Sequence, residues 1–274
     1  MKKKQFPLIP AILLCLLLLT AGGALAGTAL IRQQQKEYAM DSLALKEYQS
    51  VFLSMYGIST FSEEDFTTYR GIPTLKLDYS FRTMTLLNDA LDEIFSSSNE
   101  LTNLYLGLDP FLMWKSEKED ISVVQSSLDS GLLSYADSHP EITFEILFPF
   151  PSMDYWLKQN ENDVNSCMIL YQQLTNILAS RSNITLYFPG AEKWLINNPG
   201  NYTGSFSTNE LVSQKLFLLT FCDHQLQLAG GNAATLMQQL SDQIEQYRAN
   251  PVSYPDLSGW DIVFFGDSII GNYE

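Results

Sequence analysis

Asn103-Leu104-Tyr105-Leu106-Gly107-Leu108-Asp109-Pro110 is the stretch from which the fold can be read. Leu104 to Leu106 is a short apolar run of the kind that forms a strand buried on both faces, and Asp109-Pro110 is a turn signal that closes it. Ile121 to Asp137 then has helical spacing, and His139-Pro140 breaks it, because a residue preceding proline is pushed out of the helical region. Ile142 to Phe148 repeats the strand pattern and ends in Pro149-Phe150-Pro151. A long helix is expected over Asp163 to Ser180, a third strand over Asn183 to Phe188, and helices over Asn209 to His224 and Thr235 to Tyr247. Upstream, Thr74 to Tyr79 alternates like a short strand, and Thr83 to Phe95 is amphipathic before Ser96-Ser97-Ser98-Asn99 ends it. Strands alternating with helices of this length imply right-handed crossovers. The expected fold is a three-layer α/β/α domain with a mostly parallel sheet.

Ahead of this domain lies a different kind of sequence. Lys2, Lys3 and Lys4 precede an uncharged run from Phe6 to Ile31, closed by Arg32. The run exceeds the roughly 20 residues needed to cross a hydrocarbon core, and the lysines favour a cytoplasmic N-terminus. Two readings stay open: a single-pass membrane anchor through an N-terminal transmembrane helix, or a cleaved signal peptide ending at Ala24-Leu25-Ala26. Either places the chain after Arg32 outside the cytoplasm. Gln33 to Met55 has helix-forming composition, with apolar residues at Leu43, Leu45, Tyr48, Val51, Phe52 and Met55, and is expected to form a membrane-proximal helix. Gly57 to Pro73 is polar and turn-rich. The expected division is therefore 1–32 as anchor or signal, 33–73 as membrane-proximal helix and linker, 74–248 as the α/β domain, and 249–274 as a linker with one further strand.

The 274 residues carry a formal net charge of −15 and a pI near 4.4, which argues against a nucleic-acid partner, since phosphate binding needs clustered Lys and Arg. With 46% apolar residues the chain has ample material for a core. Cys15 lies in the apolar run, and Cys167 and Cys222 either pair in an oxidising compartment or act as two small buried apolar residues. The two histidines, His139 and His224, are too few and too far apart for a zinc site, and no metal or other cofactor is expected. Asp223 and His224 fall in an expected helix, where adjacent side chains diverge, so they are not expected to act as a dyad.

Near the end of the sequence, Ile262-Val263-Phe264-Phe265 is another buried-strand run, followed at once by Gly266-Asp267-Ser268. A serine at the carboxyl end of such a strand sits where open α/β sheets place ligands and nucleophiles. The stretch Trp260 to Asn272 resembles the first motif block of the SGNH/GDSL hydrolase family. The resemblance implies a flavodoxin-like sheet and serine acyl transfer on ester substrates. Ser268 would be the nucleophile, and Gly266 and Asp267 would support the turn or the oxyanion. It also implies an Asp and a His further on to activate the serine, and neither follows Ser268. Two explanations stay open: a second SGNH-type domain that begins near Asp256 and is cut short, or a structural strand of the first domain.

Residues 74 to 248 are similar in strand order and proline-aromatic loops to SGNH-like surface proteins of Gram-positive bacteria, but Asp109 stands where a nucleophilic serine would be, and a carboxylate there cannot form a serine-type acyl enzyme. The resemblance implies a domain emptied of catalytic groups. Tyr155 and Trp156, after Phe148-Pro149-Phe150-Pro151, either stack on a sugar ring or cap the sheet as buried aromatics. The functional expectation is a membrane-anchored extracytoplasmic SGNH-like protein whose parent acts on acyl esters of cell-envelope glycans, the chain by itself being inactive. The alternative is a non-catalytic surface protein that binds a cell-envelope polysaccharide or acylated polymer.

Overall fold

The computed structural model of the chain describes residues 41–43, 47–54, 60–77, 83–97, 100–109 and 121–250. The chain divides into two compact units, Met1–Lys46 and Glu47–Glu274, and the architecture that follows belongs to the second. The apolar run Phe6 to Ile31 and the Gly266-Asp267-Ser268 stretch lie outside the described residues. No described helix is long and apolar enough to cross a membrane.

Six strands form one sheet: β1 (Ser50–Ser54), β2 (Thr74–Leu77), β3 (Asn103–Gly107), β4 (Thr143–Leu147), β5 (Ile184–Tyr187) and β6 (Gln227–Leu228), in the spatial order β2-β1-β3-β4-β5-β6. The first five are parallel and β6 adds an antiparallel edge. The order reverses between β1 and β3, which is the doubly wound arrangement with a flavodoxin-type switch point. β1 and β3 are buried throughout, as parallel strands covered on both faces must be.

Helices pack on the two faces: α1 (Glu63–Arg70), α2 (Met84–Ser97), α3 (Ile121–Ser130), α4 (Leu132–Ser138), α5 (Met153–Leu157), α6 (Glu161–Leu178), α7 (Lys193–Ile196), α8 (Glu210–Phe217) and α9 (Ala233–Ala249). A π-helical turn, Leu218–Cys222, extends α8. Local chemistry sets the ends. Ser62 and Asp65 form a capping box at the start of α1, and Gly71 ends it in the left-handed region at φ 67°, which costs glycine nothing. Asn160 and Asn209 accept from the backbone N–H of Asp163 and Val212 to start α6 and α8. Gly131 separates α3 from α4. An added Cβ would lie 1.9 Å from Asn88 Oδ1, so a side chain at this position would displace the Asn88 amide, which donates to the Ser127 carbonyl.

Most expected elements stand close to where the pattern put them. The main departure is at Ser50–Ser54. The helix expected over Gln33 to Met55 gives way there to β1, which lies between β2 and β3. Val51, Phe52 and Leu53 are too short a run for periodicity to separate strand from buried helix, and pairing on both edges decides it. The sheet-bearing unit therefore starts near Glu47 rather than at residue 74. Within the stretch expected to be turn-rich, Glu63–Arg70 is helical.

One sheet face is a packed aromatic layer. Register places Phe52 beside Tyr105, and Phe66 of α1 sits over both, with ring centroids 5.4 Å and 4.4 Å away. Phe217 meets Phe66 edge-on at 4.8 Å, and Phe61 and Phe221 close the layer. Phe66 is fully buried and joins α1, the sheet and α8. Phe66→Ala is expected to destabilise the domain by about 3–5 kcal/mol, the range for removing a buried aromatic. Urea denaturation should show this as a lower midpoint with an unchanged slope.

Candidate functional site

A charged group sits in the middle of this apolar face. Glu145, at the third position of β4, is paired in register with Tyr105 and Thr185, and it is 2% exposed. An unpaired carboxylate there would lose most of its hydration. Three elements converge to satisfy it. Arg70, in the last turn of α1, reaches it with Nη2 at 3.0 Å from Oε1 and Nη1 at 3.4 Å from Oε2. The same Nη1 donates to the carbonyl of Phe221 in the π-helical turn. The Tyr187 hydroxyl, at the end of β5, donates to Glu145 Oε2 at 2.9 Å. Burial alone would lower the Arg70 pKa, but the neighbouring Glu145 carboxylate outweighs it and the value is raised, so the guanidinium keeps its charge.

The network continues to His224. Its Nδ1 lies 2.6 Å from the Tyr187 hydroxyl, and the rings stack at 5.9 Å. The hydroxyl proton is directed at Glu145, so Nδ1–H of His224 donates to the Tyr187 oxygen. His224 is exposed and carries a left-handed φ of 53°, uncommon for a residue with a Cβ. It does not lie in the helix expected there, because the π-turn ends at Cys222 and the chain turns into β6. The chain Arg70, Glu145, Tyr187, His224 thus orients one imidazole at the surface. Among the described residues Tyr187 is its only hydrogen-bond partner, so no serine or threonine hydroxyl stands against it.

Functional groups are expected at the carboxyl ends of the parallel strands. β1 ends in buried Ser54, and β3 leads through Leu108 to Asp109, 2% exposed, which the Tyr171 hydroxyl reaches at 3.5 Å. A carboxylate buried this way braces the loop against α6. A cleft of about 560 Å³ opens between the N-terminal ends of α1 and α8. Thr60, Thr208 and Ser213 in its wall are 2.8 to 3.4 Å from one another, so these hydroxyls satisfy each other.

Of the residues singled out from sequence, Ser268, Gly266 and Asp267 lie outside the described residues. Trp156 is 1% exposed and offers no face to a ligand. Tyr155 is half-buried, with its ring 4.7 Å from Phe206. The structure does not bring Tyr155 and Trp156 to the Glu145 network. Cys167 and Cys222 are not joined in a disulfide, and Cys167 is buried. Among the described residues no group of three or more His, Cys, Asp or Glu converges as a metal site. Glu145, Arg70 and Tyr187 were not legible as a set, because they are far apart in sequence. The cue available was a lone glutamate inside the otherwise apolar Ile142 to Phe148 strand.

No family model matches the chain, and no curated protein matches it. Among solved structures, a protein from Streptococcus pneumoniae, described provisionally as a platelet activating factor, aligns with a TM-score of 0.56 at 10% identity, covering 74% of this chain and 98% of its own. At that identity the likeness is one of fold, and it extends over the whole of the other domain.

Removing the Glu145 charge should expose how far the domain relies on this network. Glu145→Gln leaves Arg70 facing a neutral amide, and breaking one side of a buried pair costs about 3–5 kcal/mol. Thermal unfolding should register it, whereas breaking the exposed pair Arg181 with Asp137 should leave the unfolding midpoint nearly unchanged. Alkaline pH offers a second test. Burial, reinforced by the Glu145 carboxylate, raises the phenol pKa of both Tyr105 and Tyr187. The unfolded chain loses these protons first, near the ordinary value of about 10. Stability is therefore intact below about pH 10 and is lost as pH rises toward the folded values. Tyrosinate absorbance should show part of the 14 tyrosines ionising only as the fold is lost.

Proposed function

We propose that this is a membrane-tethered, extracytoplasmic protein of SGNH/GDSL hydrolase build, in which residues 47–250 form a non-catalytic module and Ser268 is the nucleophile of ester chemistry on acylated cell-envelope polymers. The observation that carries the non-catalytic assignment is the state of the strand ends. The sheet order fits the family, yet β3 leads to a buried Asp109 held by Tyr171, and the one imidazole near the last parallel strand is engaged by Tyr187. A serine hydrolase needs a nucleophile against its base, and the described residues hold no such pair. The likeness of fold to the pneumococcal protein supports the hydrolase-type build.

Ser268 follows the apolar strand run Ile262 to Phe265, the position of an activated serine on a strand-to-turn corner. The base that would activate it is not expected from the module. A second reading, a surface recognition protein with a pseudo-hydrolase domain, is favoured by the same strand ends, since a fold kept without its reactive groups still offers clefts and rigid loops.

The two readings separate by assay. The protein produced from its complete reading frame should hydrolyse a chromogenic acetyl ester, with activity lost in Ser268→Ala and retained in Asp109→Ala. Activity that survives Ser268→Ala, or that depends on Asp109, would remove the ester reading. An absence of activity leaves the recognition reading standing.

A further inference from the structure

A second cleft, of about 530 Å³, lies between the segment Ala191 to Trp194 and the exposed side of α9. Its volume falls in the range of small-molecule sites. Gln239, Asp242, Gln243 and Gln246 line it from α9 at the spacing i, i+3, i+4 and i+7, which puts all four on one helix face. Trp194 forms part of the opposite wall and is only partly buried. Its ring is held in place from two directions: Nε1 donates to Glu192 Oε2 at 3.1 Å, and the Lys215 ammonium lies 3.9 Å from the ring centroid.

Gln243 is the feature that a plain surface groove does not explain. It is 3% exposed, and its Nε2 donates to the Ala191 carbonyl at 2.8 Å, which fixes the orientation of the amide. Its Oε1 is then left buried with no hydrogen-bond partner. A buried acceptor without a donor is costly, and such groups are rare in folded proteins. Here it belongs to a residue of the cleft wall, so the unsatisfied acceptor lies just behind the space that an incoming O–H or N–H would occupy.

The wall chemistry selects the ligand class. Carboxamides present a donor and an acceptor side by side, matching a sugar hydroxyl that also does both. An indole offers a flat apolar face suited to the C–H face of a pyranose ring. Of the lining residues Glu192 and Asp242 are acidic and Lys193 is basic, and the Lys215 ammonium sits against the Trp194 ring, so charges of neither sign cluster there to select a phosphate, a carboxylate or a cation. We propose that this cleft binds an uncharged oligosaccharide, with Trp194 as the stacking platform and Gln243 Oε1 accepting a ligand hydroxyl or acetamido proton. The inference deepens the recognition reading and rests on it, and it is independent of Ser268.

The test uses the full chain, purified in a detergent without a sugar headgroup, and titrates chitotetraose and cellotetraose by calorimetry and by tryptophan fluorescence. At least one tetraose is expected to bind and to perturb the indole emission. Trp194→Ala should weaken binding by about tenfold or more, the loss expected for a stacking contact. Gln243→Met keeps the side-chain length without the amide and should weaken binding by a similar factor, with the unfolding midpoint reported alongside. Trp194→Phe retains a ring and should bind more tightly than Trp194→Ala, which separates stacking from misfolding. Binding that is unchanged in both Trp194→Ala and Gln243→Met overturns the assignment of this cleft while leaving the recognition reading intact. Failure of both tetraoses to bind the intact chain overturns the cleft proposal, and the ester assay then decides the broader reading on its own.

Discussion

A carboxylate in the middle of a parallel sheet constrains everything packed over it. Glu145 is surrounded by strands and by an aromatic layer, and burying its charge is tolerable only if a cation and hydrogen-bond donors arrive together. Arg70 supplies the charge, Tyr187 the neutral donor, and the Phe221 carbonyl takes one of the remaining guanidinium protons. These groups come from α1, β5 and the turn after α8. Their meeting ties the layer over β1 and β3 to the sheet edge near β5, so one ionic contact coordinates segments otherwise joined by non-directional aromatic packing. Apolar burial is the larger stabilising term, and the ion pair adds a directional contact that ring packing by itself lacks.

That role bears on how the His224 imidazole is understood. It is exposed, on a left-handed backbone conformation, and its Nδ1 is engaged by the Tyr187 hydroxyl. Such a group could be taken for half of a catalytic dyad, but the hydroxyl it meets is a phenol committed to Glu145. The polar network is used inward, to satisfy the buried carboxylate. The strand ends agree, since Asp109 is buried and braced by Tyr171. A doubly wound fold with these contents at its strand ends is a framework, and its surface clefts are where a ligand can be accommodated.

The aromatic residues illustrate how little composition says about recognition. Trp156 and Tyr155 follow a proline-rich loop and from the sequence suit either stacking on a sugar or capping the sheet, and Trp156 is enclosed by the core. Trp194 sits in a less conspicuous stretch, and tertiary contact with Lys215 and Glu192 holds it at the wall of a cleft. Whether an indole packs or binds is decided by what lies across from it, and the residues across from Trp194 come from a helix about 45 residues further along the chain.

The sequence by itself determined the α/β class and the succession of elements from Thr74 to Tyr247, because continuous apolar runs and helical spacing are local consequences of burial on two faces or on one. It also marked helix ends through Asn209, His139-Pro140 and the serine-rich stretch after Phe95. Tertiary structure alone decided that Ser50–Ser54 is a central strand, since three apolar residues satisfy either period and only pairing with β2 and β3 selects one. It alone brought Arg70, Glu145, Tyr187 and His224 together. Charge pairing across the sheet depends on register and on the helix laid over it, and neither is written in the spacing of the residues along the chain.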